Sequence, residues 1–168
     1  MTIRTATVDD IEAINDIYNH YVVNTAITFD YEPWSIEQRK TWFEKLANSD
    51  DYYHVLVKED EAGDVIGFAY NSEFREKLAY RISSEITIYL RHDLKAKGLG
   101  SMLMQALLKQ MANSPVKRAY SVITLPNDAS LGLHRKFGFE QVGYLTDVGF
   151  KFDQYYSVAI LEAAVSDF

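Results

Sequence analysis

Two glycines and several basic residues lie together near the middle of the chain, directly after a run of β-branched and large apolar residues. That run, Ile86–Leu90, has the composition of a buried strand, and apolar residues at helical spacing follow Gly100. The first N–H groups of a helix have no acceptor inside it, and the helix dipole adds positive charge at the same point. Because glycine carries no Cβ, the backbone here can approach an anion closely. The pattern predicts a phosphate or pyrophosphate cradle made by Lys95, Ala96, Lys97, Gly98, Leu99, Gly100 and Ser101.

The spacing around the glycines excludes the commonest nucleotide-binding motifs. A Walker loop ends in Gly-Lys-Ser/Thr, whereas Gly100 is followed by Ser101 and Met102. A dinucleotide fingerprint needs a third glycine, and Leu103 stands at that position. The residues from Lys95 to Gly100 are instead similar to Arg/Gln-x-x-Gly-x-Gly, the acyl-CoA pyrophosphate loop of the GNAT superfamily of N-acetyltransferases, with lysine where arginine or glutamine is usual.

A second segment resembles the same superfamily. Its pattern is Asn-x-x-Ala/Ser-x-x-x-Tyr-x-x-x-Gly-Phe, which Asn127, Ser130, Gly138 and Phe139 match, while His134 stands where tyrosine is common. Residues at this spacing share one face of a helix. The resemblance implies that this face points toward the CoA arm. The resemblance implies acetyl-CoA as the co-substrate. Its binding residues outside the loop would be Ile88, Tyr89, Leu90, Asn127 and Ser130.

The composition limits the class of protein. A chain of 168 residues is most simply one domain, here an N-acetyltransferase domain over residues 1–168. It contains no cysteine, which excludes a disulfide, a thiolate metal site and a cysteinyl acetyl-enzyme. The net charge of −7 argues against nucleic acid as a partner. No apolar run approaches the roughly 20 residues that span a bilayer, and no signal-peptide pattern opens the chain, so we expect a cytoplasmic protein without a membrane partner.

Periodicity, caps and turns predict the element order β-α-α-β-β-β-α-β-α-β-β. It is the order of the α/β GNAT fold, a mixed, mostly antiparallel central sheet with helices on both faces. Thr7 with Asp10 and Ser35 with Gln38 have capping-box spacing before two helices, and Gly138 is expected to end the last helix. The predicted strands are 3–6, 53–58, 65–71, 80–90, 118–124, 141–147 and 155–162, with a helix over 128–137 and a loop over 149–154.

The resemblance narrows to the phosphinothricin acetyltransferase-like branch of the superfamily. It extends from near the start of the chain to about Gly149, through segments such as Ile17–Tyr21, Thr28–Asp30 and Leu125–Asp128. That branch commonly has Trp-x-Asp in the last strand, where this chain has Tyr155–Ser157. Its enzymes acetylate the α-amino group of glutamate-like or methionine-derived amino acids, including phosphinothricin, methionine sulfoximine and methionine sulfone. The resemblance implies an acceptor of this kind and, because the branch is typically dimeric, a homodimer.

Acetyl transfer needs a base, an oxyanion donor and a proton for the leaving thiolate. Glu85, which matches the glutamate of the branch, is the candidate base, acting directly or through water. An ordinary carboxylate is a poor base for an ammonium group unless burial raises its pKa. A backbone N–H of Tyr89 or Leu90 would stabilise the oxyanion, since the family opens its sheet there with a bulge. His134, or alternatively Tyr89, would protonate the thiolate.

The acceptor carboxylate requires a cation, and the candidates are Arg75 and Arg81. Arginine can hold a carboxylate through two parallel hydrogen bonds, and Arg75 is the first candidate. Both arginines could instead be ordinary surface charges. The residues assigned to acceptor binding are Phe29, Arg75, Tyr80, Arg81, Glu85 and Thr124.

Other functions are compatible with parts of the sequence. Within the enzyme class, the acceptor could be a protein N-terminus or a polyamine, which an acidic protein would attract. Outside it, the chain could be an acyl-CoA-binding module without turnover. A metal-dependent hydrolase is disfavoured, and no metal is expected, because the histidines lack Glu-x-x-His spacing and the chain has no Gly-x-Ser-x-Gly elbow.

Overall fold

The structure is a computed structural model that describes residues 2–94 and 98–168, apart from the side chain of Asp167. Lys95, Ala96 and Lys97, three of the predicted cradle residues, lie outside the described residues. Within the two described ranges, no helix is both long and apolar enough to cross a membrane.

Seven strands form one mixed sheet. Their order across the sheet is β1-β2-β3-β4-β5-β7-β6, and every neighbouring pair is antiparallel except β4 and β5. The strands are β1 (Ile3–Thr5), β2 (Val55–Glu59), β3 (Val65–Glu73), β4 (Ser83–Leu90), β5 (Arg118–Thr124), β6 (Glu140–Lys151) and β7 (Gln154–Ala164).

Within residues 2–94 and 98–168, four α-helices connect the strands in the predicted order, which confirms the fold class. Ser35 and Gln38 form the predicted capping box, in which the Gln38 N–H donates to Ser35 Oγ at 3.2 Å and the Ser35 N–H donates to Gln38 Oε1 at 2.7 Å. Thr7 and Asp10 also form a capping box, on a short 3-10 turn that leads into the first helix. The helices are α1 (Ile11–Asn24), α2 (Ile36–Ala47), α3 (Leu99–Ala112) and α4 (Asp128–Lys136).

The sheet has a separate hydrophobic core on each face. On one face, Leu103 and Leu107 of α3 pack with Ile86 of β4, and on the other face Ile14 of α1 packs with Phe68 of β3. Successive side chains of a strand point to opposite faces. Ile86, Ile88 and Leu90 therefore face α3, whereas Glu85, Thr87 and Tyr89 face the side of α1 and α2.

Several predicted element boundaries differ from the structure, and two of them differ by three residues or more. Residues 149–151, predicted as a loop, belong to β6, and only Phe152 and Asp153 turn the chain, at φ values of 51° and 56°. A shift in the β6–β7 register between Leu145 and Gly149 lets the long strand bend without ending. The strand predicted to start at Tyr80 starts at Ser83, because Leu78–Tyr80 form a 3-10 turn.

Candidate active site

The site lies where the two parallel strands separate. Pairing between β4 and β5 ends with Glu85 opposite Tyr120, although β4 continues to Leu90 and β5 to Thr124. The gap is the mouth of a cavity of about 450 Å³, which also reaches the first turns of α3 and α4. The lining residues are Tyr21, Ile27, Ile86, Thr87, Ile88, Tyr89, Leu90, Gly98, Gly100, Ser101, Ser121, Val122, Ile123, Thr124, Asn127, Ala129, Ser130, Leu133 and His134.

The sheet opens by strand divergence. The expected bulge in β4 is wrong: the β3–β4 register runs without a shift from Gly67 opposite Leu90 to Glu73 opposite Ser84. β4 therefore keeps its full ladder with β3 and loses only its pairing with β5. The unpaired edge of β4 presents backbone groups to the cavity, as a binding site for an extended ligand requires.

The direction of these backbone groups follows from one hydrogen bond. The Arg91 N–H donates to the Ile66 carbonyl of β3 at 2.9 Å. Because backbone groups alternate along a strand, the N–H of Tyr89 also faces β3, and the N–H of Leu90 faces the gap. The N–H and carbonyl of one strand residue point to the same side. The Leu90 carbonyl also points away from β3, since it accepts from the hydroxyl of Tyr21, a cavity residue, at 2.7 Å. Of the two predicted oxyanion donors, the geometry favours Leu90.

The predicted cradle forms the start of α3. Gly98 is the N-cap residue at φ 88°, a left-handed conformation that glycine adopts readily. The Met102 N–H donates to the Gly98 carbonyl at 3.1 Å and is the first N–H of α3 with an acceptor one turn back. The N–H groups of Leu99, Gly100 and Ser101 precede it and have no acceptor within the helix. The side chain of Leu99 is buried in the core, so only the backbone of Leu99 can bind a ligand.

A lysine that the sequence analysis did not assign lies beside this turn. Lys136, at the end of α4, places Nζ 3.1 Å from Ser101 Oγ. Its charge therefore adds to that of the helix N-terminus, where anions are stabilised. Lys136 lies two residues before Gly138, inside the second family signature. This position is the sequence signal that could have identified Lys136 as a candidate cofactor-binding residue.

His134 is buried at the cavity with an exposed fraction of 4%. Its Nδ1 lies 2.8 Å from the carbonyl oxygen of Ser130, one turn earlier in α4. Nε2 is buried and has no hydrogen-bond partner among the described residues. Burial lowers the pKa of His134, although the contact with Ser130 opposes part of that effect. Asn127 caps the same helix, because its side chain accepts from the Ser130 N–H at 3.1 Å.

Glu85 stands at the edge of the site, at the point where the strands separate. It does not line the cavity itself and is half-buried on the side of α1 and α2. Burial raises its pKa above the ordinary value of 4.5. A carboxylate with a raised pKa is a stronger base, which is the change that deprotonating an ammonium group needs.

The environment of Tyr89 disfavours it as the proton donor. Its ring packs edge-on against Tyr18 at 5.3 Å between centroids and contacts Tyr21 and Phe68 on the side of α1. Burial raises the pKa of the Tyr89 phenol well above its ordinary value, which makes it a weaker acid. Between the two predicted groups for thiolate protonation, His134 is therefore the better candidate and Tyr89, the alternative, is disfavoured.

The two candidate arginines line a second cavity of about 220 Å³, outside the cavity between the strands. The Arg81 guanidinium lies 4.2 Å from the ring centroid of Tyr52, which packs against the α3-side core. Arg75 lies 5.2 Å from the ring of Phe74, which stacks on Tyr120 at 4.2 Å. Because Tyr120 pairs with Glu85, Arg75 is the arginine connected to the face that carries the candidate base.

Of the remaining predicted acceptor residues, only one lines the main cavity. Thr124 lines the main cavity, whereas Phe29 and Tyr80 do not. The Tyr80 ring is exposed and lies 6.2 Å from that of Phe74. Phe29 packs against Gly149, in the part of the chain that sequence reasoning treated as a loop.

Comparison with known proteins agrees with this geometry. Residues 3–160 match the family model of the acetyltransferase (GNAT) domain. The chain is 38% identical over 160 residues to a phosphinothricin N-acetyltransferase of Streptomyces coelicolor, covering 95% of this chain and 94% of that protein. It is 35% identical over 161 residues to an L-methionine sulfoximine/L-methionine sulfone acetyltransferase of Pseudomonas aeruginosa, covering 96% and 92%.

A solved structure shows the same fold with a ligand. The GNAT superfamily phosphinothricin acetyltransferase of Sinorhizobium meliloti, in complex with acetyl-CoA, superposes with a TM-score of 0.92 at 32% identity, over 97% of this chain and 87% of that chain. The fold and the cavity define an acyl-CoA N-acyltransferase. The chain belongs to the GNAT acetyltransferase family, and its co-substrate is acetyl-CoA.

Proposed function

We propose that residues 1–168 form one N-acetyltransferase domain that acetylates the α-amino group of a small amino acid, such as phosphinothricin, methionine sulfoximine or methionine sulfone. The observation that carries the proposal is the gap between β4 and β5. It opens beside the anion cradle at α3, and Glu85 stands where the two strands stop pairing. The names of the two relatives supply the acceptor class.

Glu85 takes the first proton. The acceptor arrives as an ammonium ion, and the Glu85 carboxylate removes one proton directly or through one water. Its raised pKa makes this transfer less unfavourable than it would be for an exposed carboxylate. The neutral amine then attacks the thioester carbonyl, and the N–H of Leu90 stabilises the oxyanion.

His134 carries the second proton. With Nδ1–H donated to Ser130, the resting ring offers a lone pair at Nε2 and has no proton to give there. After attack the amine nitrogen is cationic, and His134 takes one of its protons at Nε2. It then delivers that proton to the CoA sulfur as the carbon–sulfur bond breaks. The predicted acid is therefore a relay that accepts before it donates.

Arg75 is the proposed clamp for the acceptor carboxylate. Both arginines line the second cavity, and Arg75 is preferred because the Phe74 ring beside it stacks on Tyr120, the register partner of Glu85. A guanidinium can bind a carboxylate with two parallel hydrogen bonds and so orient the adjacent amine. Thr124, Tyr80 and Phe29 complete the proposed acceptor site.

An amine-panel assay tests the acceptor. Purified protein is mixed with acetyl-CoA and phosphinothricin, methionine sulfoximine, methionine sulfone, spermidine or a peptide with a free N-terminus, and released CoA thiol is measured. We expect turnover with the amino acids. Preference for spermidine or the peptide would replace the amino-acid proposal with the alternative acceptor class. Acetyl-CoA binding by calorimetry without turnover on any amine would indicate a non-catalytic binding module.

We also propose a cytoplasmic homodimer. Acetyl-CoA is a cytoplasmic metabolite, and dimers are typical of the branch that the chain resembles. The β6–β7 hairpin exposes several large apolar side chains, a feature of contact surfaces in homo-oligomers. They include Tyr144, Leu145, Val148, Phe150 and Tyr155. Analytical ultracentrifugation should give twice the chain mass, and Tyr155→Asp should shift the equilibrium toward monomer.

A further inference from the structure

The end of β6 holds the connection between α1 and α2, residues 25–35, through three consecutive residues. The first is Gly149. A Cβ built at Gly149 would have three ring carbons of Phe29 within 2.7 Å, which no real side chain tolerates. A side chain at this position would therefore force the Phe29 ring to move from its present place.

The next two residues fix the backbone of the connection. The ammonium group of Lys151 is 2% exposed and donates to the carbonyls of Val22 at 2.7 Å and Thr28 at 2.9 Å. The hydroxyl of Tyr31 donates to the carbonyl of Phe150. A buried ammonium group that binds two carbonyls resists displacement, because breaking either bond leaves a buried charge less satisfied.

These contacts place an aromatic wall beside the acetyl-transfer cavity. Tyr156 pairs with Gly149 across the hairpin, and its ring lies 6.5 Å from that of Phe29. Ile27, two residues before Phe29, lines the cavity itself. The position of Phe29 relative to the gap between β4 and β5 therefore depends on residues more than a hundred positions away in the chain.

We propose that Gly149 and Lys151 are positioning residues for the acceptor, and that the Phe29–Tyr156 pair sets which acceptor side chain fits. This inference rests on the proposed function. The wall is built from apolar ring faces, so it selects amino acids whose side chains carry apolar carbon at that point. Neither positioning residue lines the cavity between β4 and β5, so we expect their loss to act on the acceptor and to leave acetyl-CoA binding intact.

The test compares Gly149→Ala with Gly132→Ala, a matched control whose added Cβ meets no atom within 4 Å. For methionine sulfone, Gly149→Ala should lower kcat/KM on the order of 10- to 100-fold, since small misplacements near the chemistry cost that much. The KM for acetyl-CoA should stay within about twofold of the wild type. Lys151→Met should show the same acceptor-specific loss.

A double-mutant cycle keeps the test independent of activity. If Gly149→Ala acts through the Phe29 ring, its effect on the free energy of unfolding should disappear in a Phe29→Ala background. A wild type that acetylates no amino acid would refute the proposed function, but coupling in the cycle would still support the contact. Additive stability effects, or an unchanged kcat/KM for an active Gly149→Ala enzyme, would overturn the inference.

Discussion

In α4, Nδ1 of His134 lies 2.8 Å from the carbonyl oxygen of Ser130. A carbonyl can only accept, so Nδ1 carries the hydrogen and Nε2 carries the lone pair. A residue whose type suggests an acid is therefore held as a proton acceptor in the resting enzyme. Because burial lowers its pKa, the neutral form persists to lower pH than for an exposed histidine.

His134→Phe should reduce turnover strongly while acetyl-CoA affinity changes little. Phenylalanine keeps much of the volume and the edge-on contact with Phe139, at 5.1 Å between centroids, but it cannot move a proton. General acid–base catalysis is typically worth about 10²- to 10⁴-fold. The matched control is His54→Phe, because the buried Nε2 of His54 also has no partner in the described part of the chain, but His54 lies outside the cavity. Full turnover in His134→Phe would move proton delivery to water.

Glu85→Gln should lower turnover and raise stability at neutral pH. The amide cannot take a proton, so we expect a loss on the order of 10²- to 10⁴-fold in kcat. Burial raises the pKa of Glu85, so the folded protein penalises its ionised form. That penalty is present above the folded pKa and absent below the ordinary value of 4.5. The gain in Tm should therefore be larger at pH 8 than at pH 4, as thermal unfolding at the two pH values would show.

Arg75→Ala should weaken acceptors that carry a carboxylate. Losing a charge-assisted pair costs about 1.5–3 kcal/mol, or roughly 10- to 100-fold in kcat/KM. The measurement compares methionine sulfone with its decarboxylated analogue, which should be affected much less. Arg75→Lys should rescue only partly, because lysine lacks the planar fork. Arg81→Ala is the control, and a larger loss there would transfer the clamp to Arg81.

Gly100→Val should weaken acetyl-CoA binding by at least about tenfold, roughly 1.4 kcal/mol, as measured by calorimetry. The branched side chain would stand among the free N–H groups of the first turn of α3. Even a single Cβ there would lie 3.3 Å from Leu133 Cδ2, so the side chain has little room to turn away. A folded variant with unchanged affinity would contradict the cradle, and Gly132→Ala controls for glycine replacement in a helix.

Lys58→Met should stabilise the protein. Lys58 is fully buried in β2, and its Nζ has no hydrogen-bond partner among the described residues. Removing an unpaired buried polar group of this kind should raise the free energy of unfolding by about 1–3 kcal/mol. Methionine has a similar length and no polar group to desolvate. Urea unfolding should show the gain, whereas exposed Lys40→Met should change little; a loss of stability would mean that the ammonium group has a partner in solution.

The sequence by itself determined the order of the elements, the helix caps and the nature of the cofactor. Caps and glycine turns act on residues within about one helical turn, so their spacing in the sequence predicts their structural role. Examples are the capping box of Ser35 with Gln38 and the helix start at Gly98 and Gly100. Predictions based on neighbouring residues fail where contacts between distant parts of the chain decide the structure. The sequence predicts a loop over residues 149–154, but residues 149–151 belong to β6, and the ring of Phe29, far away in the chain, occupies the space beside Gly149.

Only the tertiary structure decided the geometry of the site. The gap between β4 and β5 depends on where two strands stop pairing, and that depends on the residues packed on both faces of the sheet. The direction of the Leu90 N–H follows from the register with β3, and the meeting of Arg75 and Arg81 at one second cavity follows from the fold of the segment between β3 and β4. The proton on His134 Nδ1 depends on which atom the folded chain places 2.8 Å away. Such properties belong to pairs of atoms that folding brings together, so residue types and spacing do not contain them.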